Sequence, residues 1–70
     1  MGDIDGAIKA FCRATFINPQ DADAHYNLGV LLSKQGRLDD AAENYIKIHE
    51  MQPDYVNAHY NLGNLLKELR

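Results

Sequence analysis

The sequence contains little cysteine and no long apolar segment. Its longest apolar runs are three residues, such as Val30-Leu31-Leu32, whereas a membrane-spanning helix needs about 20. The single cysteine, Cys12, excludes an internal disulfide and favours a reducing compartment, so we predict a cytoplasmic protein outside the membrane. With a net charge of −3, the chain also lacks the basic stripe typical of nucleic-acid surfaces, so no nucleic-acid partner is expected.

Catalytic motifs are also missing. The sequence has no phosphate-binding glycine loop, no Cys-x-x-Cys pair and no His-Glu-x-x-His zinc motif. Asp3-Ile4-Asp5-Gly6 resembles the start of a calcium loop, but the glutamate that would close the loop is absent. We therefore predict a protein that is not an enzyme and uses no cofactor and no metal ion.

What the chain does contain is an internal repeat. The hexapeptide Ala24-His25-Tyr26-Asn27-Leu28-Gly29 recurs unchanged 34 residues later, ending at Gly63, and Asn18-Pro19 is echoed by Gln52-Pro53 at the same offset. Self-similarity at such a period is typical of stacked structural units. Proteins of this kind act mainly through the extended surface that the stacked units form.

The hydrophobic pattern within the repeats is helical. Apolar residues recur at three- and four-residue steps in four segments, and none shows sustained two-residue alternation, so the fold class is all-α. Gly36, Pro19 and Pro53 separate the segments, because glycine accepts positive φ and the residue before proline avoids the helical region. We expect helices over residues 3–19, 21–35, 37–51 and 55–70, with Asp21 and Asp54 as helix caps or first-turn residues.

Two mid-helix glycines, Gly29 and Gly63, predict close helix contacts, since glycine otherwise destabilises a helix by about 1 kcal/mol. These glycines belong to a longer pattern with a fixed spacing. An aromatic-like residue stands three before a Leu-Gly pair, and a bulky residue, a turn glycine, an alanine, a second aromatic residue and a final proline follow. In the middle unit these positions are His25, Leu28, Gly29, Leu32, Gly36, Ala41, Tyr45 and Pro53. The chain thus resembles the tetratricopeptide repeat (TPR) family.

The resemblance implies a TPR-type solenoid of helical hairpins, each an A helix followed by a B helix, wound into a right-handed superhelix. The helix order would be B-A-B-A in a single module. Residues 3–19 would form a B helix, residues 21–53 one complete repeat and residues 55–70 a final A helix. Because the turn glycine Gly2 and the last residue, Arg70, occupy the same point of the repeat, we expect a piece of a longer array.

The A helices of the family line a concave groove, so the resemblance implies a scaffold that binds an extended peptide. Asn27 and Asn61 precede the Leu-Gly pairs, as in TPR arrays such as that of O-linked N-acetylglucosamine transferase, where asparagines form a ladder along a peptide backbone. A side-chain amide offers both a donor and an acceptor, which suits any peptide group. The predicted peptide-binding residues are Tyr26, Asn27, Lys34, Tyr60, Asn61 and Asn64.

Two alternatives remain open. Uncapped terminal helices can join copies of the chain end to end, or by domain swapping at Gly36, into a homo-oligomer. We expect each terminal helix to expose an apolar stripe, and the predicted self-association residues on these stripes are Ile4, Ile8, Phe11, Leu62, Leu65, Leu66 and Leu69. Alternatively, the chain is the substrate-docking arm of a larger enzyme, such as a glycosyltransferase.

The histidines give only a weak metal signal. His25 and His59 occupy the same place in two successive A helices, which pack about 8–10 Å apart. A single ion cannot bridge that separation, so we expect both histidines to be structural and predict no metal ligand.

Overall fold

A computed structural model describes residues 3–69, and these form four α-helices: α1 (Ile4–Ile17), α2 (Ala22–Lys34), α3 (Leu38–Met51) and α4 (Val56–Glu68). No strand occurs within this range, which confirms the all-α prediction. Gly2 and Arg70, used above to align the repeat, lie outside the described residues. Among the described helices, none has the length and apolarity required to cross a membrane.

The turn between α2 and α3 is a complete Schellman motif centred on Gly36, whose φ is +78°. The amide of Arg37 donates to the carbonyl of Leu32 at 2.9 Å, and the amide of Gly36 donates to the carbonyl of Ser33 at 3.0 Å. Both carbonyls belong to the last turn of α2, where no intrahelical partner exists. The positive φ requires glycine, so this residue fixes where α2 ends and the chain reverses.

The other two connections are alike, as the sequence echo predicts. The amide three residues after Asn18 donates to the Asn18 carbonyl at 3.1 Å, and the amide three residues after Gln52 does the same at 3.0 Å. Pro19 and Pro53 each follow the first residue of these tight turns, where the fixed φ of proline suits the second turn position. The same local sequence therefore builds the same reversal twice.

The helices start at equivalent positions of the repeat, but their capping residues differ. Asp3 and Asp21 each cap a helix by accepting a hydrogen bond from the amide three residues on, at 2.8 and 3.1 Å. The corresponding prediction for Asp54 is wrong. Helix α4 begins after Tyr55, and that residue makes no side-chain capping bond.

The core lies between α2 and α3, with α1 packed on α2 and α4 packed on α3. Tyr45 is 2% exposed and Ile48 is fully buried. A Cβ atom at Gly29 would lie 2.8 Å from two ring carbons of Tyr45, so this glycine permits the predicted close helix contact. A Cβ atom at Gly63 would meet no atom of another described helix within 4 Å. The close helix contact predicted at Gly63 is therefore absent from the described residues.

The predicted apolar stripe for self-association is mostly covered, which corrects the expectation that it lies exposed. Ile8 and Leu65 are 7% and 5% exposed, and three further members pack partly buried against the core: Ile4, Phe11 and Leu62. Only Leu66 and Leu69 are exposed, at 52% and 42%. The other five residues are covered because their helices pack against neighbouring helices of the same chain.

Candidate peptide-binding groove

A hollow of about 260 Å³ opens between α2 and α4, with α3 beneath it. The lining combines side chains from all three helices: Val30, Ser33, Lys34, Tyr45, Asn61, Asn64, Leu65 and Glu68. Two residues of opposite charge, Lys34 and Glu68, accompany two amides, two hydroxyls and two aliphatic side chains. Such a mixed, nearly neutral surface suits peptide groups better than a charged ligand.

The structure brings three of the six predicted peptide-binding residues to this hollow. Lys34, Asn61 and Asn64 line it, whereas the other three do not: Tyr26, Asn27 and Tyr60. Tyr60 is 68% exposed, and Asn27 is exposed as well. Asn27 and Asn61 thus occupy the same place in the repeat but different places relative to the groove.

Tyr26 is part of an aromatic cluster that supports the groove. Its ring centroid lies 6.0 Å from that of Tyr45 and 5.7 Å from that of Tyr55, both in tilted geometry. Asn61 Nδ2 donates to the Tyr26 hydroxyl at 3.1 Å. The tyrosine therefore orients Asn61, and the carbonyl oxygen of this amide is the group left for a ligand.

Tyr45 forms the floor of the groove, although the sequence marked it only as an aromatic position of the repeat. Burial raises the pKa of its phenol, opposed by hydrogen bonding with Asn61 and Ser33, while the nearby Tyr26 raises it further. The phenol therefore stays neutral and can both donate and accept. Its position on the apolar stripe of α3 could be seen in the sequence, but its exposure at one edge to the groove could not.

A hydrogen bond between α2 and α4 sets the width of the groove at one end. The Tyr55 hydroxyl donates to Asp23 Oδ1 at 2.8 Å. Burial and this hydrogen bond, together with the charge on Asp23, raise the pKa of Tyr55 to about 12. Asp23 lies in the first turn of α2 and Tyr55 is the N-cap of α4, so the bond joins the N-terminal ends of the two helices that form the groove walls.

His25 is a structural residue. It is 4% exposed, and its Nε2 donates to the carbonyl of Pro19 at 3.0 Å while its Nδ1 lies 2.9 Å from Asn44 Oδ1. Asn44 is held in turn by donation from its Nδ2 to the carbonyl of Asp40 at 3.0 Å. The part played by Asn44 could not be predicted from the sequence, because this residue comes from the facing helix.

The structure places His59 beside His49, not beside His25. The two ring centroids are 5.5 Å apart, with 31° between the ring planes. Within residues 3–69 no group of three or more histidine, cysteine, aspartate or glutamate side chains is arranged to hold a metal ion. The His49–His59 pair was not foreseen, because the two residues come from different parts of the repeat.

A second hollow of about 680 Å³ lies on the side of α1 and α3. It is lined by Cys12, Thr15, Phe16, Pro19, Gln20, His25, Lys47, Glu50 and Met51. Phe16 is 86% exposed there. None of the predicted peptide-binding residues reaches this hollow.

Two family models match the chain. One, described as TPR repeat, matches residues 1–36. The other, described as tetratricopeptide repeat, matches residues 22–55. A search of curated proteins finds no match. The two matched ranges overlap through α2, which is the helix that carries the first copy of the repeated hexapeptide.

Proposed function

The chain belongs to the tetratricopeptide repeat family, and from this premise we propose that it binds an extended segment of a partner protein in the groove between α2 and α4. Repeats of this family mediate protein–protein interaction, and the family is typically a non-catalytic interaction module. TPR domains bind protein partners. The proposal adds the location of the bound segment and the residues that hold it.

The observation that supports this proposal is the convergence of Asn61, Asn64 and Lys34 on one hollow. Asn64 is exposed, and no described residue shares a hydrogen bond with its side chain, so its amide can pair with both groups of a peptide unit. Asn61 adds an acceptor, because its amide NH₂ group donates to Tyr26 and hydrogen-bonds with the Tyr45 phenol. Extended backbones present alternating donors and acceptors, which this set of side chains matches without sequence preference.

The experiment compares two asparagines of the same helix. Asn64 lines the groove, whereas Asn57 is exposed on α4 outside it. A library of unstructured peptides is screened for binders of the native chain, and the affinity of the best binder is measured for Asn64→Ala and Asn57→Ala. We expect Asn64→Ala to weaken binding about tenfold, as two hydrogen bonds of about 0.5–1.5 kcal/mol each would imply, and Asn57→Ala to leave it unchanged.

Equal losses in the two variants would place the peptide elsewhere on α4 and end the proposal. An unchanged affinity in Asn64→Ala would do the same. Both variants replace exposed asparagines in one helix, so neither leaves a cavity in the core. Circular dichroism of each variant checks that both remain folded.

A second candidate function is self-assembly with another copy of the chain. The exposed fractions of Leu66 and Leu69, 52% and 42%, favour it, because adjacent exposed leucines are typical of contact surfaces. Sedimentation equilibrium of Leu66→Gln/Leu69→Gln is the test. We expect this variant to be monomeric and to keep peptide affinity, whereas Asn64→Ala loses affinity and keeps the native assembly state. A native chain that is monomeric at every concentration would remove this candidate.

Other aspects of the sequence interpretation stay predictions. These are the docking arm of a larger enzyme, the domain-swapped dimer, the cytoplasmic location and the division into part-repeats at residues 3–19, 21–53 and 55–70. Among them, only the domain-swapped dimer would also be seen by the sedimentation experiment, as a dimer that persists in Leu66→Gln/Leu69→Gln. The sedimentation experiment does not test the other three predictions.

A further inference from the structure

We propose that His49 and His59 together bind one divalent transition-metal ion between α3 and α4. The two rings are neighbours, with centroids 5.5 Å apart, although ten residues and a turn separate them in the chain. This site lies outside the groove and is independent of the proposed peptide binding. The ion would be of the class that prefers imidazole nitrogen, namely zinc, nickel or copper.

The ring nitrogens of this pair are available for a ligand. Within residues 3–69, neither ring takes part in a hydrogen bond, and both side chains are exposed. His25 shows the contrasting case, since its two ring nitrogens contact Asn44 and Pro19. Two of the three histidines thus have unused nitrogen atoms, and these two are the ones placed side by side.

The separation of the rings fits a shared ion. With Zn–N bonds of about 2.1 Å and a tetrahedral angle at the metal, the centroids of two ligating imidazoles lie about 5.2 Å apart. The observed centroid separation of 5.5 Å is slightly longer, and a small side-chain rotation of either exposed ring would remove the difference. The backbones of α3 and α4 therefore need not shift for both nitrogens to reach one ion.

The pair provides two ligands, and no third histidine, cysteine or carboxylate in the described range completes the site. Water would fill the remaining positions, so we expect moderate affinity and exchange that is fast compared with a closed structural site. Hard cations such as Mg²⁺ prefer oxygen ligands and should not bind here.

The consequence for the fold is a link between successive repeats. His49 lies in the helix that completes one repeat, and His59 lies in the first helix of the next. In the folded chain one ion binds both residues, whereas in the unfolded chain it binds each of them separately. The ion therefore binds the folded chain more tightly and stabilises the packing of α3 on α4. The metal would thus regulate the stiffness of the array at this junction.

The test uses chain prepared without a histidine tag and carrying Cys12→Ser, because the exposed Cys12 thiol is a competing metal ligand. Calorimetric titration with NiCl₂ and ZnCl₂ at pH 7.5 is compared for this background, for His49→Ala and for His59→Ala. Thermal unfolding is followed with each metal and with MgCl₂ as the control. Both substitutions are at exposed positions, so the variants should remain folded.

We expect the background chain to bind Ni²⁺ and Zn²⁺ and to unfold at a higher temperature when either is present. Each single substitution should weaken binding at least tenfold and remove the thermal shift. MgCl₂ should produce no shift. Undiminished affinity in either single variant would overturn the proposal, because it would mean that the two rings do not share an ion. Absence of any heat or thermal shift in the background chain would overturn it equally.

Discussion

Replacing Gly29 by alanine measures the close contact on which the central helix pair depends. The added Cβ would lie 2.8 Å from the Tyr45 ring carbons Cε1 and Cζ and 3.2 Å from its hydroxyl oxygen. The ring is 2% exposed, so it cannot swing aside without disturbing the core. Overpacking of this kind destabilises proteins by about 1–3 kcal/mol.

The repeat offers a matched control at Gly63, the same position of the second hexapeptide. No described atom lies within 4 Å of a Cβ built there, so Gly63→Ala should stabilise the chain by the helix propensity of alanine alone, about 1 kcal/mol. Gly29→Ala gains the same propensity but meets Tyr45. The propensity terms cancel in the comparison, and the difference between the two variants, about 1–3 kcal/mol, measures the steric term.

Urea unfolding followed by circular dichroism at 222 nm gives both free energies, and an unchanged m-value would show that the unfolded state is unaffected. In thermal unfolding, each kcal/mol corresponds to about 4–8 °C for a domain of this size. We expect a lower melting temperature for Gly29→Ala and a higher one for Gly63→Ala. A rise in both variants would refute the reasoning, since it would show that the Tyr45 ring does not occupy the space beside Gly29.

Two further predictions concern the polar contacts. The pKa of Tyr55 is about 12 in the folded chain and about 10 in an unfolded chain. Its protonated phenol therefore stabilises the fold, fully below pH 10, and this contribution is lost as the pH rises toward 12. Tyr55→Phe should therefore flatten the fall in unfolding free energy over that range, measured by urea titration at several pH values, whereas the exposed control Tyr60→Phe should leave it steep. His25→Ala should destabilise the chain by about 2–4 kcal/mol, because it leaves a cavity and removes the partner of the Pro19 carbonyl. That loss is comparable with the whole stability of a domain this small, about 3–5 kcal/mol, so circular dichroism should show partial unfolding at 25 °C, in contrast to a folded His59→Ala.

Local elements of the structure were predictable because local interactions decide them. Gly36 ends α2 since only glycine readily takes its φ of +78°, and Asp21 starts α2 by capping an amide three residues away. Asp54 failed as a cap although it stands in the corresponding turn. Helix α4 begins at the equivalent position of the repeat, so Tyr55 stands where α2 has Asp21, and Asp54 lies one residue too early to cap the helix.

The candidate site was predictable only in part. Asn64 and Lys34 could be assigned to the groove from the helix face that the repeat presents. The pairing of Asn61 with Tyr26 joins residues of two different helices, and so does the contact of His49 with His59. Such contacts depend on helix packing distances and rotations that no single helix specifies, and they were therefore missed.

The two copies of the hexapeptide show where the division lies. Sequence alone determined that each copy is helical and that each carries histidine, asparagine and glycine at the same helix positions, since identical local patterns give identical local structure. Tertiary structure decided that most of the first copy is buried and most of the second is not. Helix α2 is packed between α1 and α3, whereas α4 packs mainly on α3 and meets α2 through contacts such as the hydrogen bond from Asn61 to Tyr26. Burial depends on the neighbouring helices, so His25 and Gly29 are buried in one repeat, while the equivalent His59 and Gly63 are exposed in the next.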